Sequence, residues 1–135
     1  MRTQRGLVDY ALRRRALLRE VTSGRVPISE VCEASPYLLQ AAKFHGVPSD
    51  TTSPLCRREQ LIHVHWVYGG QLRTEAGSAR TPAELERLAD AVSEFTVHLV
   101  EVCLSCSWNH LVSSFVMGHG QELDPPARAR RRSRA

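Results

Sequence analysis

The chain is predicted to fold as α+β, with N-terminal helices packed on a C-terminal three-stranded antiparallel sheet that carries one inserted helix. Three observations predict it. Apolar residues recur at helical spacing up to about residue 47 and alternate with polar ones after residue 60. A capping sequence, Thr81-Pro82-Ala83-Glu84, opens a helix inside the alternating half. Cysteines flank that half in a spaced pattern, with Cys103-Leu104-Ser105-Cys106 intact at one end and Ser53-Pro54-Leu55-Cys56 at the other.

Each element follows in order. Leu7, Val8, Ala11, Leu12, Leu17, Leu18 and Val21 share a helical period, broken by Arg13, Arg14, Arg15 and Arg19. Gly24 and Pro27 end that helix. A short helical turn is expected from Ser29 through Cys32. Ser35 then caps a helix with Pro36 at its first position, Leu38, Leu39, Ala42 and Phe44 on its inner face, and Gly46 as its stop. Residues 48–54 read as a polar, turn-rich linker. Ile62, Val64, Trp66 and Tyr68 alternate with Leu61, His63, His65 and Val67, the period of a strand, and Gly69-Gly70 ends it. Leu85, Leu88, Ala89, Val92 and Phe95 mark one face of the inserted helix. Thr96 to Val102 and Trp108 to Met117 read as the remaining strands. The organisation expected is a helical segment at 1–47, the cysteine-flanked sheet at 53–118 and a disordered Arg-rich tail at 119–135.

Composition bounds the function. The chain has 135 residues, 42% of them hydrophobic, enough for one core. No window is long and apolar enough to span a membrane. The N-terminus carries arginines rather than a secretion signal, so the four cysteines are expected in a reducing, cytoplasmic compartment. The net charge is +4, but Arg128, Arg130, Arg131, Arg132 and Arg134 alone make it positive. Without them 13 basic residues face 14 acidic ones. The tail is therefore the place where phosphate backbones could be touched without sequence preference, and the body lacks the broad basic face of an autonomous nucleic-acid binder.

Two C-x-x-C knuckles at the ends of strands are how a zinc ribbon holds one Zn²⁺ among four thiolates. Here the first knuckle has serine where the first thiolate belongs. Cys56, Cys103 and Cys106 are the expected metal ligands of a degraded site. The fourth ligand is left open among His63, His65, His98, His110 and water, because the neutral hydroxyl of Ser53 is a poor zinc ligand. The alternative is a ribbon whose cysteines pack as small apolar residues. Cys32, in the helical part, is expected to be a core cysteine. His45 lies at a helix C-terminus, where positive charge needs no further explanation. A hydrolytic site would need His-rich ligands and a carboxylate base, and no such spacing is present. Thiol redox chemistry at Cys103/Cys106 would need a helix N-terminus at Cys103, and the following residues read as strand.

Several stretches together carry a family resemblance. They are Val8-Asp9-Tyr10-Ala11-Leu12-Arg13-Arg14-Arg15, Pro36-Tyr37-Leu38-Leu39, Ala41-Ala42-Lys43-Phe44-His45-Gly46, His63-Val64-His65-Trp66, Gly77-Ser78-Ala79-Arg80-Thr81, Glu101-Val102-Cys103 and Cys106-Ser107-Trp108-Asn109-His110-Leu111. Over roughly residues 5 to 118 the chain resembles a family of short, uncharacterised actinobacterial proteins, a domain of unknown function. The resemblance implies a cytoplasmic actinobacterial protein and a full C-P-x-C at the position of Ser53 to Cys56, from which this chain departs. It implies no activity. The functional expectation is a non-enzymatic accessory binding module docking on a larger protein or ribonucleoprotein assembly. The alternatives are a protein-interaction scaffold without nucleic acid and a thiol redox protein.

Overall fold

The computed structural model describes residues 4–69, 72 and 77–120. The elements in chain order are β1 (Arg5–Asp9), α1 (Ala11–Thr22), a 3₁₀ turn (Ile28–Glu30), α2 (Pro36–His45), β2 (Val47–Thr52), β3 (Gln60–Tyr68), β4 (Ser78–Arg80), α3 (Pro82–Ala91), β5 (Phe95–Val102) and β6 (Asn109–Met117). The fold is α+β. The sheet runs β1-β6-β5-β3-β2, with β4 also paired to β3, and every pairing is antiparallel.

The expected three-stranded sheet is thus corrected to six strands among the described residues. The three anticipated strands, β3, β5 and β6, are its centre. The additions are peripheral, where sequence signals are weakest. In β1, Leu7 and Val8 are 62% and 48% exposed, so they point away from any core and mimic a helix period by chance. Asp9 ends β1 just before α1, its Oδ1 accepting from the Ala11 amide at 2.8 Å. The expected linker at 48–54 is largely β2, which pairs Val47 with His63 and Thr52 with Gln60. It is an edge strand, the place where a proline such as Pro48 is tolerated.

The caps follow the sequence. Ser35 Oγ accepts from the Leu38 amide at 3.1 Å, and Thr81 with Glu84 forms a complete capping box. The stop at Gly46 has a different cause from the usual left-handed cap. Its φ is −82°, and a Cβ there would lie 2.2 Å from Ile62 Cγ2 and 2.4 Å from the Ala42 carbonyl oxygen. Glycine is required by space, because α2 turns directly onto β2 against β3.

Alternation along β3 divides the core. Val64, Val100 and Val102 face α2 through Ala41 and Ala42. On the opposite face, Val67, Val97, Phe115 and Met117 pack under Leu85 and Ala89 of α3. On that same face Leu61 packs with Val31, Cys103 and Trp108, flanked by Leu17, Leu18 and Val21 of α1. The segment after β6 is held by bonds from the His119 and Gly120 amides to Val92 and Ser93 carbonyls. The tail arginines Arg128, Arg130, Arg131, Arg132 and Arg134 lie outside the described residues.

Gly46→Ala is expected to lower stability by about 1–3 kcal/mol, the usual cost of forcing atoms into a filled site. Urea unfolding followed by circular dichroism measures it.

Candidate metal centre

The β3–β5 ladder runs from Ile62↔Val102 to Tyr68↔Thr96. It therefore sets the turn before β3 and the turn after β5 at one end of the sheet. The two turns are built alike. The Ser53 amide donates to Glu59 O at 2.8 Å, and the Cys103 amide to Trp108 O at 2.8 Å. The Arg57 amide returns to Ser53 O at 3.2 Å, and the Ser107 amide to Cys103 O at 3.0 Å. The residue after the second cysteine has positive φ in both, 59° at Arg57 and 68° at Ser107. Neither is glycine, and such residues cost of order 1–3 kcal/mol, a strain that concentrates at functional sites. Ser53 thus stands in its turn where Cys103 stands in the other.

The turns bring three sulfurs together. The Sγ atoms of Cys56, Cys103 and Cys106 all lie within 4.8 Å of one another, and Cys56 and Cys103 are 3.7 Å apart. A tetrahedron with Zn–S bonds of about 2.3 Å has an edge of about 3.8 Å. These three thiols could hold a metal ion. Ser53 Oγ completes the group at 3.6 Å from Cys106 Sγ, with Ser53 only 1% exposed.

The thiols are electrostatically distinct. Amide bonds from Arg58 and Glu59, followed by the Ser53 hydroxyl, bring Cys56 down from 9.0 to about 6. Burial, opposed by the Cys106 amide and the Ser53 hydroxyl, pushes Cys103 up. Amides aimed at sulfur are what a thiolate ligand needs to spread its charge.

None of the histidines joins this group among the described residues. His98 Nδ1 bonds Ser114 Oγ at 2.7 Å, and His110 Nδ1 reaches Leu111 O at 2.6 Å while its ring stacks on Trp108. His65 is held below its ordinary value by burial and then by His63. Of the candidates left open for the fourth ligand, none of the four histidines lies in the group. Cys32, expected in the core, is half-buried and packs against the same cysteine cluster.

Sequence reasoning missed the ion pair behind the centre. Glu101, 4% exposed, takes Arg14 Nε at 2.6 Å and Trp108 Nε1 at 2.8 Å on one carboxylate oxygen. Arg14 also lies over the Trp108 ring at 5.9 Å. This ties α1 to β5 and to the start of the Cys106 strand. The available signal was a lone acid, Glu101, inside the β-rich run Thr96 to Val102.

Residues 1–133 match the family described as a family of unknown function, DUF5318. This chain belongs to that family. Uncharacterized protein Rv0049 of Mycobacterium tuberculosis is 60% identical over 119 residues, which cover 88% of this chain and 87% of the relative. Uncharacterized protein Mb0050 of Mycobacterium bovis matches to the same extent. No solved structure shows a significant match.

Two outcomes follow for the metal-free protein. Alkylation should reach Cys56 first, with a rate that halves near pH 6, and zinc should suppress it. The depressed thiol also makes a contribution to folding that is full above about pH 9 and lost as pH falls toward 6. Mass mapping of iodoacetamide adducts across pH tests the assignment. Separately, Glu101→Ala should destabilise the fold by about 2–3 kcal/mol, since it strands Arg14 and the Trp108 N–H together. Glu101→Gln, which keeps an acceptor, should cost less in the same melt.

Proposed function

We propose that this protein is a zinc-stapled, non-enzymatic binding module of a reducing cytoplasm that docks on a larger protein or ribonucleoprotein assembly. The observation that carries the reading is the convergence of three sulfurs from two matched turns. The sulfurs sit in an apolar cluster with Leu61 and Trp108 and, among the described residues, have no carboxylate or histidine in their group. Such a setting suits a structural zinc, which adds to folding free energy, rather than one that activates water.

Docking is supported by two exposed features. Tyr37 and Phe44 of α2 are 65% and 67% exposed and, with Trp66, border a groove of about 200 Å³. Along α1, Arg15 and Arg19 border a shallow hollow of about 630 Å³ with Arg14 and Arg25. The apolar groove and the basic helix lie on opposite faces of the sheet, and the α1 side is the one that fits a partner with acidic or phosphate-bearing surface. The tail arginines would add nonspecific phosphate contact.

A thiol redox reading has one observation in its favour, the acidic Cys56 lying 3.7 Å from Cys103. Against it, Cys103 is fully buried and its turn leads into strand rather than helix. The same lowered Cys56 is what amide bonds to a ligand thiolate produce.

The test is paired. Zinc should raise the melting temperature of the reduced full chain, and a chelator should reverse it, because a ligand of the folded state stabilises it by mass action. The full chain should shift a structured RNA in a salt-dependent way, and a chain ending at Gly120 should lose most of that shift. Unchanged melting with zinc defeats the metal-stapled reading. Absence of any RNA shift at low salt leaves the protein-only scaffold.

A further inference from the structure

We propose that Cys32 is the fourth thiolate of this centre, so that the metal clamps the α1–α2 connection onto both turns of the sheet. This rests on the metal-stapled reading above and assigns its missing ligand.

The backbone brings Cys32 to the site. It forms an isolated antiparallel bridge with Trp108, and the Ala34 amide donates to Ser107 O at 3.1 Å. Residues 32–34 therefore lie alongside the turn that holds Cys103 and Cys106. The 3₁₀ turn fixes the approach, since the Val31 and Cys32 amides both donate to Ile28 O, at 3.0 and 2.9 Å. Val31 is 7% exposed and anchors the segment in the core.

The side chain faces the right neighbours. Cys32 packs in the same cluster as Cys56, Cys103 and Cys106, close enough for its thiol to feel all three. It stands outside the close group of three, so ligation requires its sulfur to move in toward them.

Chemistry then chooses between the two candidates for the fourth corner. Ser53 Oγ is nearer, but Zn²⁺ binds a thiolate far better than a neutral hydroxyl. With Cys32 bound, four thiols lose their protons to solvent and give a Cys₄ site. Ser53 then serves as a hydroxyl donor to the thiolates rather than as a ligand. A two-knuckle site joins two turns only. This one also joins the N-terminal helices, adding a metal bond to the Arg14–Glu101 pair, the Cys32–Trp108 bridge and the apolar packing that link them to the sheet near the centre.

Cobalt(II) titration of the reduced full chain tests the assignment, because thiolate-to-cobalt charge transfer reports the number of sulfurs. Cys32→Ala and the near-isosteric Cys32→Ser should each lose about a quarter of that intensity and weaken binding about tenfold or more. Cys32→Ala/Ser53→Cys should restore a four-sulfur spectrum, which also shows that the altered chain folds. Full intensity and unchanged affinity in both Cys32 variants, with binding lost in Cys56→Ala, would overturn this assignment alone and leave the three-thiol site standing. No cobalt uptake by the unaltered chain would overturn the metal reading and this proposal with it.

Discussion

The rest of the structure depends on the register of the β3–β5 ladder. Seven consecutive pairs, from Ile62↔Val102 to Tyr68↔Thr96, fix these two central strands. A slip of one residue would turn every side chain to the opposite face. Val64 would leave α2 and Val67 would leave α3, so burial on both faces holds the register. The same register puts the Ser53–Cys56 and Cys103–Cys106 turns at one end. The site is thus a consequence of sheet packing, and its geometry is set by residues that never touch it.

The surroundings of the centre explain how converged thiols are tolerated. Several thiolates together repel one another unless a cation lies between them or donors spread their charge. Here backbone amides at Arg58 and Glu59 and the Ser53 hydroxyl supply donors to Cys56. The positive φ at Arg57 and Ser107 is the local cost of aiming the turns inward. Trp108 packs in one buried cluster with Cys103 and is itself held by Glu101 and Arg14. A half-buried ion pair of this kind adds little net stability, but it leaves few alternative seats for α1.

Much of this was legible in the sequence, for identifiable reasons. The central strands are buried on both faces and alternate or run apolar. The helices α2 and α3 carry serine, threonine and proline at positions whose chemistry is local. The C-x-x-C and its serine-bearing counterpart announced the convergence of Cys56, Cys103 and Cys106. What was hidden depends on contacts distant in sequence. β1 and β2 are exposed edge strands whose hydrogen bonds, rather than their side chains, place them. The position of Cys32 beside Trp108 comes from a single bridge across 76 residues of chain. The Arg14–Glu101 pair spans 87, and although Glu101 stands out as an acid in a β-rich run, nothing local points to Arg14 as its partner.

X-ray absorption at the zinc edge of the reduced, zinc-loaded full chain tests the central claim most directly, because it reports the ligand atoms themselves. The account predicts a low-coordinate site dominated by sulfur at about 2.3 Å. A first shell of oxygen and nitrogen only, or zinc that is removed by gel filtration before measurement, would contradict it.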